Sequence, residues 1–114
     1  MEDKKQAAAK LLEKNLNRNT LWETLGILQN EPFYTAKGLE FRYEIRGNEM
    51  FVDQKQKSKS ITRSSAEIAF GKIQEQIRKG ETLPVLVTGP KKLGVFGASY
   101  LYPVFLELNI IRAK

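Results

Sequence analysis

The strongest structural signal in this chain is an alternation of apolar and charged residues around Gly47-Asn48. Apolar side chains occupy every second position from 39 to 45 and again positions 50 and 52, whereas positions 40, 42, 44 and 46 are all charged. A period of two is typical of strands with one buried and one solvated face. Glycine and asparagine tolerate positive φ, so the pair favours a two-residue turn. The sequence therefore predicts a β-hairpin over residues 39–53.

The turn also predicts the register of the hairpin. On the apolar face Ile45 lies opposite Met50, and Tyr43 lies opposite Val52. On the other face three pairs join opposite charges, which stabilises a sheet. Those pairs are Arg46 with Glu49, Arg42 with Asp53 and Glu40 with Lys55.

The hairpin continues into a polar connector and a helix. Residues 54–60 contain no hydrophobic side chain, which indicates a solvated loop or a fraying strand end. Ser64 and Glu67 have the spacing of a capping box, in which each side chain accepts from a backbone amide of the first turn. The predicted helix ends near Gly80. Its apolar stripe comprises Ala66, Ala69, Phe70, Ile73 and Ile77.

Two further helices are predicted in the first 28 residues. One covers residues 3–16, and the asparagine-rich residues 15–19 interrupt it. Thr20 and Glu23 form a second capping box, which opens a helix through Leu28. The two helices are interpreted as a hairpin packed on the sheet. Alternatively, the first is a loosely docked arm that pairs subunits.

The residue pattern of the C-terminal third predicts a short strand and a short helix. Two interpretations of this region are open: residues 83–88 form a strand, which would complete a crossover with the hairpin and the central helix, or residues 83–87 are extended chain packed over that helix. Ser99 is the predicted cap of a helix over 100–108, with Pro103 in its first turn and Asn109 left-handed at its end. The chain is thus predicted to be one α+β domain over 1–114. It comprises a helical hairpin in residues 1–30 and a core in 33–111 with a β-hairpin, a third short strand, a long central helix and a short C-terminal helix.

Several classes of function are disfavoured by residues that the chain lacks. It contains no cysteine and no histidine, which removes disulfides, zinc sites of those ligands, thiol nucleophiles and Ser-His-Asp triads. No clustered carboxylates indicate a magnesium site. We therefore expect no enzyme activity, catalytic residue, cofactor or metal. The chain also lacks an apolar run of about 18 residues and an apolar signal core, so we expect a cytoplasmic protein without a membrane partner.

The charge balance favours a polyanionic partner. There are 19 basic and 13 acidic residues, a net charge of +6. The two most basic loops each precede a predicted helix start, where exposed backbone amides attract phosphate. The preferred hypothesis is a non-enzymatic protein that binds DNA or RNA through phosphates, although a solvated surface explains the same lysines equally well. The predicted contacts are Lys55, Lys57, Lys59, Arg63, Ser64, Lys91, Lys92 and Ser99.

Residues 89–99, Gly-Pro-Lys-Lys-Leu-Gly-Val-Phe-Gly-Ala-Ser, are the most distinctive run. They have the composition of an anion-binding loop, but no lysine directly precedes a Ser or Thr, as a nucleotide loop requires. Together with residues 37–39 and 60–64, the run resembles a group of small uncharacterised bacterial proteins with a Gly-Ala-Ser-Tyr-Leu-Tyr-Pro-like signature near the C-terminus. The resemblance covers about residues 33–111. It implies no particular activity.

The competing hypothesis is a protein-interaction or regulatory module, with a homodimer as one form. Trp22 lies beside the apolar stripe of the second helix, where it is either a core anchor or an interface residue. Phe51 falls on the charged face of the hairpin, opposite Glu44. Either another helix covers Phe51, which is favoured, or a partner does.

Overall fold

The computed structural model describes residues 3–54 and 57–114. The fold is α+β, as the sequence predicts, with an N-terminal helix pair, an antiparallel four-stranded sheet whose strands follow one another in chain order, and a long central helix. A 3₁₀ turn over Pro90–Leu93 precedes the last helix. The elements in chain order are α1 (Lys4–Lys14), α2 (Arg18–Ile27), β1 (Phe33–Tyr34), β2 (Glu40–Arg46), β3 (Glu49–Gln54), β4 (Lys57–Thr62), α3 (Arg63–Arg78), β5 (Val85–Leu86), α4 (Ala98–Glu107) and β6 (Ile111–Arg112).

The predicted hairpin and its register are confirmed. β2 and β3 pair antiparallel with Ile45 opposite Met50 and Tyr43 opposite Val52. The predicted charge pairs Arg46–Glu49 and Arg42–Asp53 are also in register. Lys55, the predicted partner of Glu40, lies outside the described residues.

The described part of the connector predicted as a loop or fraying end is strand: Gln54 ends β3 and residues from Lys57 onward form β4. β4 pairs antiparallel with β3 and forms one edge of the sheet. Among its described side chains Ile61, opposite Met50, is buried, while Ser58, Lys59 and Ser60 are exposed. A strand with so little apolar surface gives almost no periodic signal. The opposite edge, β1, was likewise not predicted as a strand; its Phe33 pairs with Phe41.

Two helices begin earlier than predicted because residues upstream also cap well. α2 is capped by Asn17, whose Oδ1 accepts from the Thr20 amide at 2.9 Å. α3 is capped by Thr62, whose Oγ1 accepts from the Ser65 amide at 3.1 Å. Thr20 and Ser64 therefore lie inside first turns. Asparagine and threonine are themselves good caps, so a run of such residues leaves the start ambiguous.

The start of α4 also differs from the prediction. The helix follows Gly97, which has φ +82° and no capping side chain, so Ser99 is in the first turn and not the cap. Pro103 consequently lies inside the helix, beyond the first turn. Asn109 has φ +59°, as predicted for a left-handed helix end.

The third strand does not join the main sheet. β5 pairs in parallel with β6 and forms a separate two-stranded sheet, so the predicted crossover is wrong. The residues that follow the last helix supply the partner of β5. The Ile110 carbonyl accepts from the Val85 amide, and Ile111 pairs with Val85.

The helices bury one face of the sheet. The core draws fully buried side chains from every layer, among them Leu12, Phe41, Phe70 and Phe105. α1 is packed and not loosely docked, because Leu12 is buried and the Lys5 ammonium donates to the Pro32 carbonyl at 3.1 Å.

The opposite face of the sheet is polar and carries no helix among the described residues. Arg42, Glu44 and Asp53 are exposed there. The favoured prediction that another helix covers Phe51 is therefore wrong for the part of the chain that the structure describes. The ring is partly buried and lies 5.1 Å from the guanidinium carbon of Arg46.

Candidate nucleic-acid interface

The two segments with the predicted phosphate contacts meet at the edge of the sheet. Gly97 packs so closely on β4 that an added Cβ would lie 2.6 Å from the side chain of Ile61. Two residues earlier, the Lys59 ammonium lies 5.9 Å from the centroid of the Tyr100 ring. Lys59 pairs opposite Val52, so it projects from the same side of the sheet as the core residues. β4 and the start of α4 thus form one continuous surface.

A third element, α3, adds a lysine that was not predicted. The ammonium of Lys72 lies beside Gly94, where it occupies the space that a Cβ would need. Gly94 has φ +64° and ends the 3₁₀ turn that carries Lys91 and Lys92. Lys72 therefore lies next to the segment that contains Lys91 and Lys92, two of the predicted phosphate contacts.

A groove of about 700 Å³ runs between α3 and the β5 segment. Lys72 and Lys92 both line it, together with the apolar side chains of Ile68, Leu86 and Leu93. Lys72 and Lys92 therefore line the same concavity, which Glu75 and Glu81 also line.

Acidic residues are missing from both segments that form this surface. The sequence has no Asp or Glu between 54 and 66, and none between 82 and 106. We call Lys59, Lys72, Lys91 and Lys92 the basic edge. All four are exposed, and none forms an ion pair with another described residue. Their charges are therefore available to an external anion.

Phe96 is a second residue that the sequence interpretation missed. It lies between Gly94 and Gly97 and is 66% exposed, the highest value among the large hydrophobic side chains described as exposed. The sequence contained one indication of this exposure. Phe96 is an aromatic residue with glycines on both sides in an acid-free segment, so it has few neighbours to cover it.

The other predicted contacts have different surroundings. Arg63 donates to Glu67 at 2.9 Å and to Asn19 at 3.0 Å, and it lies 5.5 Å from the Trp22 ring. A phosphate would compete with these partners. Ser64 and Ser99 are exposed in first turns, whereas Lys55 and the side chain of Lys57 lie outside what the structure describes.

The aromatic residues predicted for a protein interface are both engaged within the chain. Trp22 is partly buried, packs on the core and donates its Nε1–H to the Gly47 carbonyl at 3.4 Å. The guanidinium of Arg63 covers its ring, as that of Arg46 covers Phe51.

Two buried tyrosines have structural hydrogen bonds. Tyr43 donates its hydroxyl to the Leu25 carbonyl at 2.6 Å, and Tyr102 donates to the Val87 carbonyl at 2.5 Å. Burial raises the pKa of both hydroxyls, because the ionised phenolate would lose its hydration. Each hydroxyl thus links a helix or strand to a neighbouring segment as a neutral donor.

Comparison of the chain with protein-family models, with curated proteins and with solved structures finds no match. Within residues 3–54 and 57–114, no three Asp or Glu side chains are grouped so that they could hold a metal ion. Over the same residues, the helices fall short of the length and apolar character needed to span a membrane.

Proposed function

We propose that this protein binds nucleic acid, with the basic edge contacting the phosphates. The observation that carries the proposal is the contact of β4 with residues 97–100, because it joins two acid-free segments into one surface. Phosphate contacts by lysine need no particular base sequence, so the affinity is electrostatic and depends on salt.

The start of α4 supports the same proposal. The helix has no side-chain cap and no acidic residue in its first turn, and Lys59 lies beside it. The amides of Ala98, Tyr100 and Leu101 already donate to the Val95 and Gly97 carbonyls, so it is the positive end of the helix dipole that favours an anion at this position. Ser99, in this first turn, remains a proposed contact for that reason.

Arg63 and Ser64 are secondary in this proposal. The hydrogen bond of Arg63 to Asn19 links α3 to α2, whereas its bond to Glu67 lies within α3. A phosphate that binds Arg63 has to displace the Glu67 carboxylate, which is already paired with it. This exchange reduces the net gain in binding free energy.

The experiment compares two variants with equal loss of charge. In the first, Lys59, Lys72, Lys91 and Lys92 become Gln; in the control, the exposed Lys4, Lys14, Lys37 and Lys114 do. Fluorescence anisotropy with a labelled 20-nucleotide strand at ~50 mM salt gives each affinity. We expect the basic-edge variant to lose at least tenfold and the control to lose clearly less, because direct contacts release more counterions than distant charges. Equal losses, or no binding by the unmodified protein, would contradict the proposal.

The alternative of a protein-interaction module, including a homodimer, has weaker support. It relies on Trp22 and Phe51, and both rings are covered by arginines of the same chain. A cytoplasmic location and the similarity to the small bacterial proteins remain predictions that fit either function.

A further inference from the structure

Phe96 is held away from the core by the backbone on both sides of it. Gly94 and Gly97 have φ values of +64° and +82°, a region that most other residues avoid. The preceding Val95 packs against the core, while the Phe96 ring is 66% exposed. Contact of the phenyl ring with water is unfavourable. Binding of a ligand that covers the ring is therefore stabilised by the apolar area removed from water.

The surroundings of the ring define the chemistry of such a ligand. On one side Gly94 touches the Lys72 ammonium, and on the other Gly97 packs on β4, which carries Lys59. Lys91 and Lys92 lie just upstream. A ligand that covers the ring must therefore bring a flat apolar group with negative charges near it. Nucleobases joined by phosphates have this combination.

Unpaired bases can stack on the ring without the cost of opening a duplex. In an undistorted duplex the base faces are stacked on each other, and insertion of a side chain between them costs the free energy of unstacking, so a side chain mainly reaches base edges and phosphates. In a single strand every base offers a face to an aromatic side chain, and stacking of this kind depends little on base identity.

We propose that the basic edge selects single-stranded over duplex nucleic acid by stacking an unpaired base on Phe96. This inference rests on the proposed function. The lysines hold the phosphates on either side of that base. The duplex retains only the phosphate contacts.

The test measures four proteins with two probes. Anisotropy titrations at ~50 mM salt use a labelled 20-nucleotide thymidine strand and a mixed-sequence 20-base-pair duplex. The proteins are wild type, Phe96→Ala, Phe96→Trp and, as a control, Tyr34→Ala. Tyr34 is also an exposed aromatic residue, at 56%, but it lies on β1 at the other edge of the sheet.

We expect Phe96→Ala to weaken single-strand binding by about 5- to 100-fold and duplex binding by less than about twofold. Phe96→Trp retains single-strand affinity because indole also stacks, and Tyr34→Ala behaves as wild type on both probes. Thermal melts confirm folding, and an exposed loop position should tolerate the change.

The results separate this inference from the function on which it rests. Equal losses on the two probes with Phe96→Ala, or no loss on either, would overturn base stacking and leave phosphate binding in place. Wild-type protein that binds neither probe would overturn both.

Discussion

At the scale of single residues, Gly97 determines how closely β4 and α4 approach. Its φ of +82° costs a residue with a Cβ about 1–2 kcal/mol, and the new methyl would overlap Ile61. Overpacking of a filled core adds about 1–3 kcal/mol. We expect Gly97→Ala to lower the free energy of unfolding by about 2–5 kcal/mol in urea denaturation.

Gly94 is the matched control, since its φ of +64° is similar but its neighbour is different. A Cβ there meets the tip of the Lys72 side chain, which can move into solvent. Gly94→Ala should therefore cost only the backbone strain, about 1–2 kcal/mol. If both variants lose equal stability, Ile61 and Gly97 are not packed as described.

Tyr43 makes the stability depend on pH above 10. The phenol ionises near pH 10 in the unfolded chain, whereas burial raises its pKa in the fold. Above pH 10 the unfolded state has lost a proton that the folded state keeps. The free energy of unfolding then falls by up to about 1.4 kcal/mol per pH unit from this group.

Tyr43→Phe should remove that contribution. We expect a loss of about 1–2 kcal/mol at pH 7, because the Leu25 carbonyl loses its donor. Between pH 10 and 11 the variant should lose stability less steeply than wild type in urea denaturation. If the free energies of unfolding of wild type and Tyr43→Phe fell equally steeply between pH 10 and 11, Tyr43 would not be buried as a neutral hydroxyl.

At the scale of elements, β4 depends on one apolar side chain. Ile61 is fully buried, and the other described side chains of the strand are exposed. Ile61→Ala should cost about 2–5 kcal/mol in urea denaturation and lower the hydrogen-exchange protection of the β4 amides.

Ile68 provides the control for the same substitution. It is 56% exposed on α3, so Ile68→Ala should change stability by less than about 0.5 kcal/mol. Similar losses for the two isoleucines would mean that β4 is not anchored through Ile61.

The elements that could be predicted from the sequence are those with a regular apolar pattern. The hairpin and α3 were found because alternation and a helical stripe each extend over many residues, and the turn at Gly47-Asn48 gave the register. β4 was missed because only Ile61 enters the core, and β5 was placed in the wrong sheet because its partner, Ile111, resembles a helix end. Pairing of such short strands is decided by tertiary contacts.

At the scale of the whole molecule, the candidate site was only half predictable. Local charge density identified Lys59, Lys91 and Lys92, but a linear pattern could not show that β4 touches Gly97. Lys72 had the pattern of an ordinary solvated residue on α3. The Arg63 pairing, in contrast, could have been read from Glu67 four positions later.

The most direct test of the basic edge is the salt dependence of binding. Each lysine–phosphate contact contributes about −0.9 to the slope of log K against log salt on a duplex. Anisotropy titrations of a duplex from ~50 to ~200 mM salt should give wild type a slope of about −4 and the variant without the four lysines, which keeps Arg63, a slope of about −1 or shallower. A wild-type slope near zero, or equal slopes for the two proteins, would contradict the proposed interface.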